Sequence, residues 1–274
     1  MNEITDKEDI LIFDQKINEI CGTEIVRHTC QFFKKGEKGL EPFGSGVFAK
    51  SEKKHFILTA SHVAEYLEKD GENLFIKVDH KKYINVIGQI WMTEIEKSKE
   101  IDVAIIRIDE EMLPALSKPY FFLPISKFRK HDKMLDASQY AVVGFPAVNV
   151  KRDNGHLETG ATIYLTLPSK EKVYKYYDFD PKHFYILKME GKGKDLDSRE
   201  KSKINDKFHG ISGCGLWLIF TYKENGEHKV EYRLIGIMTE FRKGKYYCLI
   251  GNKIQIVVDA LIKLEELKIR TVKR

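Results

Sequence analysis

The feature that most constrains this fold is a succession of about twelve short β-rich runs, bounded by turn residues, along most of the chain. The first series comprises residues 25–33, 46–49, 55–59, 74–78, 83–91 and 103–108. The second series comprises residues 140–144, 162–167, 183–189, 215–220, 229–238 and 246–249. Two successive sets of about six strands suit two similar β-barrels packed together, and they predict an all-β protein.

A helix is predicted at each end of the chain. Residues 5–20 begin with a capping box of Thr5 and Glu8 and then repeat apolar residues at spacings of three and four. At the other end, Asn252 is expected to be the N-cap of a helix with one apolar face. We therefore expect an N-terminal helical extension (1–23) and one domain (24–268). That domain divides into a first barrel (about 24–125), a second barrel (about 135–250) and a C-terminal helix (about 252–268).

Composition excludes several classes of protein. The 274 residues are 42% hydrophobic and 32% charged, which is typical of a folded chain. The net charge is +5, and because basic and acidic residues are interspersed they do not indicate a basic surface that binds nucleic acid. Residues 191–207 are expected to form an exposed loop that lacks the interleaved aromatics of a nucleic-acid site. The apolar runs are too short for a membrane helix, and the acidic N-terminus is unlike an export signal, so we expect a cytoplasmic protein.

No metal or other cofactor is expected. The four cysteines form no C-x-x-C pair, and the nine histidines show no H-E-x-x-H spacing. The cysteines are expected to be reduced and mostly buried.

Three segments carry catalytic residue types. His62 follows an apolar strand and a small-residue turn, Asp102 begins an apolar run, and Ser212 lies in a glycine-rich turn. Taken by itself, a histidine after a strand more often has a structural role than a catalytic one, and an aspartate at the start of a strand is more often a turn residue. Serine catalysis, however, needs a base, a carboxylate that orients it and N–H donors for an oxyanion. Ser212, His62 and Asp102 fit these roles, with the N–H groups of Gly210 and Ser212 as the donors.

The chain resembles chymotrypsin-fold (trypsin-like) serine peptidases of the prokaryotic, standalone kind over roughly residues 24–265. The resemblance is carried by residues 44–48, 58–63, 102–104, 210–213 and 234–237. It implies two six-stranded antiparallel barrels with the triad in the cleft between them and a C-terminal helix. It also implies a serine endopeptidase that cleaves proteins through an acyl-enzyme.

The resemblance leaves the substrate pocket open. Asp206 lies six residues before Ser212, and an acid there resembles the subgroup that cuts after Lys or Arg. The alternative is a solvated charge between Lys203 and Lys207. Thr239, which follows the strand resembling the wall of the cleft, is the other expected substrate-binding residue.

Two residues depart from the family pattern. Ile211 stands where secreted relatives have an aspartate that pairs with a newly cut N-terminus, so that mode of activation is not expected. Cys214 replaces a common glycine and is expected to be a packed small residue. A cysteine nucleophile is disfavoured, because in viral relatives the cysteine replaces the serine itself.

These features predict a regulated cytoplasmic endopeptidase that acts on one or a few partner proteins, with residues 191–207 as a gate. The resemblance extends this to prokaryotic stress or antiviral (anti-phage) defence, with an activating or effector partner protein. The alternative is a latent or non-catalytic module that recruits a partner through the N-terminal helix. No nucleic acid or membrane partner is expected.

Overall fold

The structure is a computed structural model, and it describes residues 7–52, 54–69, 72–93, 101–132, 139–153, 156–189, 192–194, 201–203 and 208–272. Within these ranges, no helix combines the length and apolar character that a membrane span requires. The predicted residues Thr5 and Asp206 lie outside the described part of the chain.

The first half of the chain forms a curled antiparallel sheet. Its strands are β1 (Thr29–Gly36), β2 (Gly39–Ser51), β3 (Lys54–Thr59), β4 (Leu74–Lys77), β5 (Tyr83–Asn85), β6 (Gly88–Met92), β7 (Ala104–Ile108) and β8 (Leu123–Pro124). They follow the order β5-β4-β1-β2-β3-β7-β6, with β8 added to β2 in parallel. The single strand predicted over 83–91 is two strands, because β5 pairs with β4 whereas β6 pairs with β7.

The second half forms a closed barrel with two small hairpins. Its strands are β9 (Gln139–Gly144), β10 (Lys151–Asp153), β11 (His156–Glu158), β12 (Thr162–Pro168), β13 (Phe184–Lys188), β14 (Lys192–Lys194), β15 (Lys201–Lys203), β16 (Gly215–Glu224), β17 (Glu227–Arg242) and β18 (Cys248–Lys253). The barrel runs β12-β13-β18-β17-β16-β9. The segment 191–207, predicted to be a loop throughout, contains the β14–β15 hairpin.

The helices are α1 (Lys7–Thr23), α2 (Ser61–Ala64), α3 (Leu113–Leu116), α4 (Glu171–Tyr177) and α5 (Ile254–Val272). The prediction that Asn252 caps the C-terminal helix is wrong, since Asn252 is fully buried within β18 and the helix begins at Ile254.

A shared apolar core joins the two halves. It contains Val47, Leu58 and Val103 from the first half of the chain together with Trp217 and Leu234 from the barrel. Residues of α1 and α5 complete this core: Ile17, Cys21, Ile254, Val257 and Leu261. The expected all-β, two-barrel architecture with a helix at each end is confirmed, but the first half is an open eight-stranded half-barrel and only the second half is a closed six-stranded barrel. The shared core holds β3, β7 and β16, and the candidate site residues lie in the short segments next to these strands.

Candidate active site

His62 lies in α2, the single helical turn that follows the apolar strand β3. The hydroxyl of Ser61, which is fully buried, donates to the carbonyl of Val103 at 2.8 Å. The backbone N–H of His62 donates to Oδ1 of Asp102 at 3.0 Å. Two hydrogen bonds therefore attach this turn to the segment that carries Asp102.

The carboxylate of Asp102 holds the imidazole as well as the backbone of His62. Its Oδ2 lies 2.6 Å from His62 Nδ1. The backbone N–H of Asp102 donates to the side-chain oxygen of Asn252 at 3.2 Å, which joins the segment to β18. The contact between carboxylate and imidazole favours the tautomer with a proton on Nδ1, leaving Nε2 as an acceptor.

The surroundings of His62 set its protonation. Burial by itself lowers the pKa of His62, but the hydrogen bond and charge of Asp102 raise it, with smaller contributions from the Glu65 and Glu240 carboxylates. The net result is a pKa above the ordinary value of histidine. A proton taken up by Nε2 is therefore stabilised, as a general base requires.

Ser212 lies in a turn, residues 208–214, whose backbone carbonyls are bonded one after another. Two of these bonds lie within the turn: the Phe208 carbonyl accepts from Ile211 N–H (3.3 Å) and the Ile211 carbonyl from Cys214 N–H (3.0 Å). The other three come from elsewhere: the His209 carbonyl accepts from Ala147 N–H (2.7 Å), the Gly210 carbonyl from the Ser45 hydroxyl (2.6 Å) and the Ser212 carbonyl from Ser45 N–H (2.8 Å). Five successive peptide groups of the turn are thus held in place.

Two amides at the centre of this turn are left over. Among the described residues, the N–H groups of Gly210 and Ser212 have no acceptor, whereas Gly213 N–H donates to Met238 at 2.7 Å. Gly210 has a φ of +93°, a conformation that glycine adopts without the penalty of a Cβ. Two backbone N–H groups without an acceptor, one on a serine and the other two residues before it, are the arrangement that binds an oxyanion.

Gly44 packs between the helical turn that carries His62 and the turn that carries Ser212. A Cβ built on Gly44 would lie 2.8 Å from a methyl of Val63, the neighbour of His62, and 3.4 Å from the carbonyl oxygen of Ser212. Within the described residues, however, the acceptor of the Ser212 hydroxyl is the backbone carbonyl of Thr239, at 3.1 Å. Hydrogen bonds of a catalytic serine are often misaligned without substrate, and rotation about χ1 redirects the hydroxyl.

The two residues that depart from the family pattern are both buried. Ile211 is 3% exposed and packs with Phe208 and Leu249 in the apolar core of the barrel. Cys214 is fully buried in the same core, and burial raises the pKa of its thiol. Cys214 is therefore a protonated packing residue, as expected, and is unsuited to nucleophilic attack.

The expected substrate-binding residues have different outcomes. Asp206 lies outside the described residues, so its prediction stays a prediction. Thr239 lies beside Ser212, but its side chain turns toward β18 and donates to Ile250 at 3.4 Å, while its carbonyl faces the serine. Two residues beyond Thr239, the ring of Phe241 packs on Phe208 with a centroid distance of 4.2 Å.

Sequence reasoning missed the residues that support the site. Ser45 was considered only as one of residues 44–48, which carry the family resemblance, and Asn252 was predicted to cap a helix. A polar residue inside an otherwise buried strand, as at both positions, is the signal that could have found them. Within the described ranges, no group of three or more His, Cys, Asp or Glu side chains could hold a metal ion.

Comparison with solved structures shows which fold this is. The chain is similar to neuropsin, a serine protease expressed in the limbic system of mouse brain, with a TM-score of 0.52 and 14% identity over 87% of this chain and 94% of the other. A thermostable serine protease, AL20, from an extremophilic microorganism has a TM-score of 0.46 and 12% identity over 83% and 91% of the two chains. No protein-family model and no curated protein matches the sequence. The fold is chymotrypsin-like, and the resemblance predicted from the sequence is confirmed at the level of fold.

Proposed function

We propose that this chain is a serine endopeptidase in which Ser212 is the nucleophile, His62 the general base and acid, and Asp102 the residue that orients His62. The observation that carries the proposal is the 208–214 turn, in which every carbonyl from Phe208 to Ser212 is bonded, while the N–H groups of Gly210 and Ser212 have no acceptor within the part of the chain that the structure describes. Stabilisation of an oxyanion requires such a pair of N–H donors beside the nucleophile.

The proposed reaction follows from these positions. The Ser212 hydroxyl turns from Thr239 toward His62, loses its proton to Nε2 and attacks the scissile carbonyl. The negative charge that develops on the carbonyl oxygen is stabilised by the two amides, and Asp102 stabilises the imidazolium. His62 then returns the proton to the leaving amine, which departs and leaves Ser212 acylated. Water next gives a proton to Nε2 of His62 and attacks the acyl carbonyl, and Ser212 leaves with that proton as the acid product is released.

A mixture of synthetic peptides with diverse sequences, analysed by mass spectrometry, tests this proposal. We expect internal cleavage by the wild-type protein and none by Ser212→Ala. Cleavage after Lys or Arg would support the assignment of Asp206 to the substrate pocket, and Asp206→Asn should then abolish that preference. Equal cleavage by wild type and Ser212→Ala would overturn the proposal.

A latent or non-catalytic binding module is the second candidate. The bond from the Ser212 hydroxyl to Thr239, rather than to His62, supports it. Under this alternative the wild-type protein cleaves no peptide, and a deletion of α1 abolishes partner binding. Intact peptide hydrolysis by the α1 deletion, with partner binding lost, would instead assign α1 to recruitment by an active peptidase.

We further propose that the activity is restricted to one or a few partner proteins, in the cytoplasm, by a gate in residues 191–207. The position of residues 191–207 in the sequence supports this gate, because they directly precede the 208–214 turn that carries the N–H groups of Gly210 and Ser212. If hydrogen exchange in this segment is unchanged when a partner switches activity on, the gate is refuted. A role in stress or anti-phage defence rests on the resemblance alone, and neighbouring genes that encode effectors would support it.

A further inference from the structure

Ser45 lies in the first half of the fold and is hydrogen-bonded to the 208–214 turn of the second half. It lies in β2, is fully buried, and has a glycine on each side. A Cβ on Gly44 would lie 2.8 Å from Val63, and one on Gly46 would lie 2.5 Å from Ile57, so neither flanking position has room for a side chain. Ser45 alone within this triplet can extend a side chain toward the turn.

All three polar groups of Ser45 are used, each on a different target. Its N–H donates to the carbonyl of Ser212 at 2.8 Å, and its hydroxyl donates to the carbonyl of Gly210 at 2.6 Å. Its own carbonyl accepts the hydroxyl of Thr59 at 2.7 Å. Because Thr59 ends the strand that precedes His62, Ser45 connects the segment of the base with the turn of the nucleophile.

Of the two carbonyls that Ser45 holds, that of Gly210 lies between the candidate oxyanion N–H groups of Gly210 and Ser212 along the backbone, and that of Ser212 follows them. A peptide group is planar and trans, so an N–H points opposite to the carbonyl of the preceding residue. The Gly210 amide is therefore oriented by the bond to the His209 carbonyl, and the Ser212 amide by the bond to the Ile211 carbonyl. The peptide between Gly210 and Ile211 joins these two groups, and its carbonyl is held by the Ser45 hydroxyl alone among the described residues.

We propose that the Ser45 hydroxyl is a positioning residue that keeps the amides of Gly210 and Ser212 aimed at the oxyanion. Without it the carbonyl of Gly210 is buried and unpaired, and rotation of the peptide that follows Gly210 lets it find another donor. Glycine permits that rotation at low cost, and the rotation turns one amide away from the other. This inference rests on the proposed function, since it concerns the same site.

The rate of reaction with a fluorophosphonate tests the proposal. In this reaction the oxygen of Ser212 attacks phosphorus and fluoride leaves. The phosphoryl oxygen occupies the oxyanion position, so the rate depends on how well the N–H groups of Gly210 and Ser212 are aligned. The variant is Ser45→Ala. Its matched control is Thr166→Val, which removes a buried hydroxyl that donates to the carbonyl of Lys188 at 2.8 Å in β12, outside the site. Thermal unfolding of both variants reports the structural cost of a lost buried hydrogen bond.

We expect Ser45→Ala to label about 10- to 100-fold more slowly than wild type, below the loss of about 10²- to 10³-fold that follows removal of an oxyanion donor itself. The pH midpoint of labelling should not move, because His62 and Asp102 are untouched. Thr166→Val should lose stability and keep the wild-type rate. A purely structural role for Ser45 would lower the unfolding temperature in both variants and leave both labelling rates unchanged.

Labelling of folded Ser45→Ala within twofold of wild type would overturn the proposal, as would a displaced pH midpoint. If Ser45→Ala does not fold, Ser45→Cys decides, since it keeps the volume but offers only a weak donor. Slower labelling by Ser45→Cys is expected, and wild-type labelling by it would overturn the proposal. If wild type itself does not label, the proposed function fails, and this inference fails with it.

Discussion

Replacement of Asp102 by asparagine removes the charge that holds His62 while preserving the size of the side chain. At the 2.6 Å that separates Oδ2 from Nδ1, two unit charges interact by about 6 kcal/mol at an effective dielectric constant of about 20 and by about 1.6 kcal/mol at about 80. The two side chains are 22% and 42% exposed, so solvent screens the pair and the value lies between these limits. A loss of about 3–4 kcal/mol is a rate loss of about 10²- to 10³-fold.

The asparagine has a second effect, on the tautomer of His62. Its amide N–H can donate to Nδ1, which places the histidine proton on Nε2, where it cannot accept the proton of Ser212. Together with the lost charge, this gives an expected rate loss of about 10³- to 10⁴-fold for Asp102→Asn. The loss should appear in kcat rather than KM, because the charge on the imidazole develops only in the transition state.

The assay is the second-order rate of fluorophosphonate labelling as a function of pH. His62 must be neutral to act as a base, so the rate of the wild type should rise as pH passes through its raised pKa, above about 6.5. In Asp102→Asn the group that does most to raise the pKa of His62 is gone, and the midpoint should move to lower pH. Labelling of Asp102→Asn within threefold of wild type, with an unmoved midpoint, would refute this reasoning.

Three further predictions concern the surroundings of the site. Glu240→Gln should move the pH midpoint of labelling downward, because the Glu240 carboxylate contributes to the raised pKa of His62; an upward shift would contradict this. Asn252→Ala should destabilise the fold by about 1–3 kcal/mol in urea unfolding and slow labelling, since the Asp102 N–H loses its buried acceptor; unchanged urea unfolding would count against it. Cys214→Ala should keep most of the labelling rate, because the thiol is buried and protonated; a rate at the level of Ser212→Ala would show that the thiol takes part in the chemistry.

The sequence was most informative where its local pattern had a single physical interpretation. The apolar runs at regular spacing predicted most of the strands. The order of His62, Asp102 and Ser212 predicted a triad, and the structure brings His62 and Asp102 of that triad together. Each of the three residues lies within three positions of a strand, β3, β7 or β16. The ends of strands were predicted less well. Strand β17 extends to Arg242, beyond the predicted end at 238, because pairing with β18 continues through an irregularity at Thr239 that propensity does not reveal.

The supporting contacts could not be predicted, because they join residues far apart in the chain. The bond of Ser45 to Gly210 spans 165 residues, and that of Asp102 to Asn252 spans 150. Asn252 followed by an amphipathic run is typical of a helix N-cap, so local chemistry favoured the wrong role. The pairing of β18 with both β13 and β17 places Asn252 inside a strand, and there its side chain accepts the N–H of Asp102.

The central claim is that Ser212, activated by His62, is a nucleophile, and the mass of the intact protein after fluorophosphonate treatment tests it most directly. The samples are wild type, Ser212→Ala and His62→Ala, each checked for folding by circular dichroism. One adduct on wild type alone is the expected result. An adduct on Ser212→Ala equal to that on wild type, or no adduct on folded wild type, would contradict the account.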